Sequence, residues 1–188
     1  MTRRQAKLTA ENRLPGDPDK AALLDQIIRV NQAGEYGAKR IYEGQLAVLG
    51  KTDAAPVLQN MLDQEEKHLA KFRTIMADRK VRPTALEPLW HVAGFALGAA
   101  TALLGKEAAM ACTAAVEDVI GEHYAEQTLQ LGDDESELRD IISTFRADEL
   151  HHRDVSLERG AALAPAFVPL TAAIKAGTRL AIWLSKRV

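Results

Sequence analysis

The sequence predicts an all-α protein: an antiparallel four-helix bundle with an apolar crossover helix and an added C-terminal helix. Three observations carry this. Apolar residues recur at three- and four-residue steps in long segments. Ala and Leu are plentiful while aromatics are only 5% of the 188 residues. No segment alternates long enough to be trusted as a strand.

Residues 1–16 read as a polar N-terminal arm and 17–188 as one domain, a length that buries a substantial core. Asp17-Pro18 offers an N-cap followed by proline at the first helical position. The first helix then runs to about Leu49, with a stripe of Leu24, Ile28, Asn31, Glu35, Ala38, Tyr42, Leu46 and Leu49. Gly50-Lys51-Thr52-Asp53 turns the chain into a second helix, about 54–78, carrying Leu58, Leu62, Glu65, Leu69, Phe72 and Met76. A linker ending near Pro83 and Thr84 leads to Leu86–Leu104, nearly free of charge. Gly105 breaks that segment, and helices follow at about 106–131 and 135–159. Gly160 suits a C-cap, and Pro165 and Pro169 open a last helix at roughly 169–187.

A hydrophobic fraction of 47% and a charged fraction of 27% are ordinary for a globular protein. The net charge of −2 argues against a nucleic-acid binder. The single cysteine, Cys112, excludes an intramolecular disulfide and a cysteine-rich metal site. The basic N-terminus has no apolar stretch behind it, so no secretory signal is read and a reducing cytoplasm is expected.

The chemistry lies in a duplicated pattern. Glu65-Glu66-Lys67-His68 and Glu149-Leu150-His151-His152 each hold Glu-x-x-His, so both side chains of each pair share one helix face. Each pair follows a lone glutamate in an apolar stripe, Glu35 or Glu117, at nearly the same spacing. One Glu-x-x-His is weak evidence; two with matched upstream carboxylates are strong. Glu43, Glu66, Glu126, Glu135 and Glu158 read as solvated. Four carboxylates in one core would repel one another unless cations bind them. Four carboxylates and two imidazoles are the ligand set of ferritin-like dinuclear proteins. The set has no thiolate and suits iron, or manganese, better than structural zinc. Two metal ions per chain are therefore expected.

His123 and Tyr124 follow Glu117 by six and seven residues and are placed near the metal-facing side. Tyr42 follows Glu35 by seven, and packing is its first reading. His151 turns away from its neighbour His152, and His91 interrupts the apolar helix. Asp118 and Asp148 are candidate acceptors for ligand imidazoles. Leu86–Leu104 reads as a membrane span, a core helix or an in-plane membrane helix. Lys175, Arg179 and Lys186 near one face of the last helix favour peripheral, in-plane attachment. A tight soluble dimer interface is the competing reading.

The segments Val30-Asn31-Gln32-Ala33-Gly34-Glu35-Tyr36-Gly37-Ala38, Ala115-Val116-Glu117, His123-Tyr124 and Phe145 through Asp154, with Glu65-Glu66-Lys67-His68, resemble the demethoxyubiquinone hydroxylases of ubiquinone biosynthesis. The likeness runs from about residue 20 to the C-terminus. It implies a di-iron monooxygenase acting on 2-polyprenyl-3-methyl-6-methoxy-1,4-benzoquinol with O₂ and an undetermined electron donor. By that likeness Glu35 and Glu117 are terminal ligands, Glu65 and Glu149 bridge, and His68 and His152 take one iron each. It also implies that His123 and Tyr124 aid substrate binding or electron delivery. A lipid-confined quinol places the enzyme on the cytoplasmic face of the inner membrane, with a homo-oligomer or a biosynthetic complex possible. The alternatives are a rubrerythrin- or catalase-like peroxide scavenger and an iron-binding, non-catalytic membrane-associated partner.

Overall fold

The structure, a computed structural model, describes residues 17–188. The expected arm at 1–16 lies outside the described residues. Six helices follow one another: α1 (Lys20–Leu49), α2 (Ala55–Arg79), α3 (Glu87–Leu103), α4 (Lys106–Gln130), α5 (Ser136–Glu158) and α6 (Phe167–Ser185). Single 3₁₀ turns at Asp133–Glu135 and Ala161–Leu163 precede α5 and α6. No strand occurs among the described residues.

Two helix starts differ from the expectation. The N-cap of α1 is Asp19, whose carboxylate accepts from the Ala22 N–H; Asp17 and Pro18 precede the helix. Asp19 satisfies a first-turn donor of α1, the role expected of Asp17. Helix α6 begins at Phe167, so Pro169 is its third residue. First-turn N–H groups lack intrahelical partners, and proline costs nothing there.

Helix α1 packs on α2 and α3, α4 packs on α5 and α6, and the two groups meet where α1 crosses α4. Helix α4 is buried over most of its circumference, from Ala108 to Ala115 without interruption. It is the central helix, and its small residues let neighbours approach on every side. The core falls into two clusters. One gathers Ile28, Phe72, Met76, Leu138 and Ile142; the other gathers Leu58, Met61, Leu62, Met110 and Ala111.

The crossover helix α3 rests on α1 through glycines. A Cβ on Gly98 would overlap the Ile41 carbonyl oxygen, and one on Gly44 would overlap the Phe95 carbonyl oxygen. Such backbone contact needs small residues at helix spacing, as in Gly94-Phe95-Ala96-Leu97-Gly98. Only Gly98, Thr101 and Ala102 of α3 are buried, so it is not a core helix. Its other face leaves Leu89, Val92 and Leu103 exposed. Gly105, at φ 117°, makes the corner into α4 in a conformation that L side chains rarely adopt.

Candidate metal centre

Glu35 comes from α1, Glu65 and His68 from α2, Glu117 from α4, and Glu149 and His152 from α5. All six are at most 3% exposed. They form two groups, Glu35–Glu65–His68–Glu149 and Glu65–Glu117–Glu149–His152, and within each the potential ligand atoms lie within 4.8 Å of one another. Glu65 and Glu149 belong to both groups. The duplicated sequence pattern has become a duplicated cluster with a shared centre.

The imidazoles are aimed by groups from the opposite half. His68 turns Nδ1 inward, 3.2 Å from Glu149 Oε1 and 3.4 Å from Glu35 Oε2. Its Nε2–H donates outward to Asp148 Oδ2 at 3.1 Å. His152 turns Nδ1 to Glu65 Oε1 at 3.1 Å, and its Nε2–H donates to Gln64 Oε1 at 2.8 Å. Outward hydrogen bonds of this kind fix ring orientation and turn the other nitrogen toward the carboxylates, where a bound cation would replace its proton. Phe145 stacks on His68 with ring centroids 3.9 Å apart.

The lone carboxylates are held by tyrosines. Tyr42 donates to Glu117 Oε1 at 2.8 Å, and Tyr124 donates to Glu35 Oε1. Both tyrosines are buried. On either side of these bonds, Asn31 and Gln127 exchange reciprocal amide hydrogen bonds, and Gln45 reaches Thr113 and the Ala109 carbonyl. The α1–α4 contact is thus a ladder of buried polar pairs across two antiparallel helices.

The electrostatics demand a counter-charge. Burial, then the Glu149, Glu35 and Glu117 carboxylates, push Glu65 well above the usual carboxylate range. Burial and the nearby Glu149 do the same to Glu117. Burial disfavours a charged His68, yet contact with Glu149 and Glu35 outweighs it and raises the imidazole to about 10. Both oxygens of Glu65 and of Glu149, Glu117 Oε2 and both inward Nδ1 atoms lack a hydrogen-bond partner. Buried polar atoms are rarely left so. Oxygen and imidazole donors converging without partners fit two divalent cations, which would neutralise the carboxylates and occupy those atoms.

Beside the cluster lies an apolar cavity of about 550 Å³ between α1, α3, α4 and α6. Gly34 and Ala38, on either side of Glu35 in sequence, line it, as does Val116 next to Glu117. Trp90 of α3 donates to Ser185 Oγ of α6 at 3.0 Å, joining the two helices at one end of the cavity. Their outer faces expose Val92 and Leu103 on α3 and Leu180 and Trp183 on α6. Helix α6 is the one described helix long and apolar enough to cross a membrane.

The other candidates are placed as follows. Tyr124 touches the cluster; His123 does not, and contacts Gln127 at 2.9 Å. Burial and then Lys186 push the His123 pKa down to about 3, so its ring is neutral. Asp148 backs His68, but Asp118 instead binds Lys175 at 2.5 Å and Arg153 at 3.5 Å. His151 is exposed, and His91 accepts or shares the Tyr36 hydroxyl proton at 2.6 Å. The bases of α6 face α4: Lys175 pairs with Asp118, Arg179 with Glu122 at 2.9 Å, and Glu126 acts on half-buried Lys186.

The family model described as "Ubiquinone biosynthesis protein COQ7" matches residues 22–185, a span that contains every residue of the cluster. The chain belongs to this family. It is 62% identical over 181 residues to a 3-demethoxyubiquinol 3-hydroxylase of Rhodospirillum rubrum, covering 96% of this chain and 85% of that one. It is 57% identical over 171 residues to the NADPH-dependent 3-demethoxyubiquinone 3-hydroxylase, mitochondrial, of Homo sapiens, covering 89% and 79%. It is 42% identical over 186 residues to the 5-demethoxyubiquinone hydroxylase, mitochondrial, of Saccharomyces cerevisiae, covering 90% and 80%.

Within this member of the family, reading the sequence missed Gln64 and gave Tyr42 to packing. The internal repeat held the signal for both. Gln64 precedes Glu65 as Asp148 precedes Glu149, and Tyr42 follows Glu35 as Tyr124 follows Glu117.

Proposed function

We propose that this chain is an O₂-dependent di-iron monooxygenase of ubiquinone biosynthesis that hydroxylates the ring of demethoxyubiquinol, 2-polyprenyl-3-methyl-6-methoxy-1,4-benzoquinol. The observation that carries it is the apolar cavity lined by Gly34 and Ala38, which flank Glu35 in sequence, and by Val116, the neighbour of Glu117 in the carboxylate–imidazole cluster. The relatives' names supply the reaction; the cavity suits a quinol ring with an apolar tail.

Glu35, Glu65, His68, Glu117, Glu149 and His152 would hold two iron ions, or manganese in their place, with Glu65 and Glu149 common to both groups of ligands. Two such irons supply the activation of O₂ for oxygen insertion into the ring. The protein's own groups do the rest. Tyr124 and Tyr42 occupy one oxygen of each lone carboxylate, leaving the other oxygen of each facing inward. His123 and Tyr124 are the residues assigned to substrate contact and to proton or electron handling. His123 is neutral, accepts from Gln127 and keeps Nδ1–H as a donor. The apolar walls exclude water from the reacting ring. The sequence has no Gly-rich dinucleotide fingerprint and gives no support to direct, self-contained dinucleotide binding; the NADPH in the eukaryotic relatives' names still makes it the first reductant to test.

A polyprenyl quinol resides in the bilayer, so its enzyme must meet it there. The exposed apolar faces of α3 and α6 flank the cavity and suit shallow immersion at the cytoplasmic face of the inner membrane. The deciding assay supplies iron-loaded protein with O₂, a reductant and a demethoxyquinol in lipid. Hydroxylated quinol is expected. Rapid peroxide consumption with no hydroxylated product under any reductant overturns the proposal in favour of a peroxide scavenger.

A further inference from the structure

The two halves of the cluster match in ligand type and in their tyrosines, and differ around the imidazoles: Phe145 stacks on His68 alone, and the residues behind the two rings are unlike. Each half has a lone glutamate held by a tyrosine of the other half, and each shares Glu65 and Glu149. Each imidazole presents Nδ1 to the centre and Nε2–H to a residue of the opposite half. For His68 that residue is the carboxylate of Asp148; for His152 it is the neutral amide of Gln64.

Resting on the metal-centre reading above, we propose that Asp148 makes the two metal positions unequal, with the position at His68 and Glu35 filled before the one at His152 and Glu117. A carboxylate accepting Nε2–H draws the imidazole toward imidazolate character and makes Nδ1 a stronger donor. It also adds a negative charge close to the bound cation. An amide oxygen at the same place orients the ring equally well but supplies only a dipole. Asp148 is 37% exposed at its side chain, so solvent screens part of its charge. The expected difference is accordingly at the low end of the range for such outer contacts, about 10-fold in affinity. Asp148 acts through His68 and is a positioning residue.

The test is an anaerobic Mn²⁺ titration of the full chain, with free Mn²⁺ read by its paramagnetic resonance and heat by calorimetry. Wild-type protein should bind two ions in two steps. Asp148→Asn should weaken the first step about 10-fold and leave the second unchanged. Gln64→Glu should tighten the second step, a gain that misfolding cannot produce. His152→Ala should keep the tight step, whereas His68→Ala should keep only the weak one. Asp148→Asn that leaves both steps alone, or weakens both equally, overturns the proposal. A folded wild-type chain that binds no Mn²⁺ overturns the metal-centre reading, and this inference with it.

Discussion

Tyr42 and Tyr124 are counterparts: each lies seven residues beyond the lone glutamate of its own half and donates its hydroxyl proton to the lone glutamate of the other. The exchange ties α1 to α4 directly above the carboxylate cluster. Removing either hydroxyl leaves a buried carboxylate oxygen unpaired, which costs about 1–3 kcal/mol. Tyr42→Phe and Tyr124→Phe should each lower the unfolding free energy by that amount, read from denaturant titrations. Tyr124→Phe should keep iron near the wild-type level while coupling O₂ use to product less well. Iron loss from Tyr124→Phe would make its role structural.

Ligand substitutions should separate from their neighbours. Glu65→Ala and Glu149→Ala each remove a group common to both halves, so each should lose most of the metal. Glu66→Ala and His151→Ala change exposed residues and should retain about two ions per chain. Elemental analysis of anaerobically loaded protein decides; equal retention in all four variants would sink the assignment.

Acid should expose the strain of a buried neutral imidazole. His123 has a folded pKa of about 3, against about 6.5 in an unfolded chain. Between those values the unfolded state binds a proton that the folded state refuses, so His123's contribution to stability falls as pH drops from about 6.5 toward 3. Wild-type protein should therefore lose more stability between pH 7 and pH 5 than His123→Gln. Parallel pH profiles from denaturant titrations would refute the neutral assignment.

Glycines at the cavity and at the helix contact should behave oppositely. A Cβ on Gly177 meets nothing within 4 Å and would project into open space, and Gly177 lines the cavity. Gly177→Leu should fold normally yet raise KM for a long-tailed quinol more than for a short-tailed one. Gly98→Leu would collide with the α1 backbone and should lower Tm by several degrees.

Membrane attachment should be apolar in character. The α6 bases at Lys175 and Arg179 face Asp118 and Glu122, whose charges offset theirs. Flotation with liposomes should thus depend little on salt or anionic lipid, and Val92→Glu with Trp183→Glu should abolish it. Binding that a salt wash fully releases would return the attachment to electrostatics.

The helices, their turns and the six residues of the cluster were legible because each depends on spacing along one helix. Glu65 with His68, and Glu149 with His152, need only the 3.6-residue period. What was not legible depends on where a side chain meets another helix. Asp118 and Asp148 look alike in sequence, yet one faces the bases of α6 and the other an imidazole of α2. Lys175 and Arg179 resemble a membrane-facing row until α4 supplies their acids. The apolar segment at α3 reads in sequence as a span, a core helix or an in-plane helix, and the core reading falls away only when the glycine contact shows that one edge of it is covered.

The exchange of partners between halves has a consequence for how the centre can change. If two identical two-helix units met about an axis, every substitution would appear twice, and both metal positions would alter together. One continuous chain removes that restriction. Asp148 stands where the first half has Gln64, and His123 stands where it has Ile41. Covalent joining of the halves lets one position be tuned without its twin, so a symmetrical scaffold can carry an asymmetrical reaction.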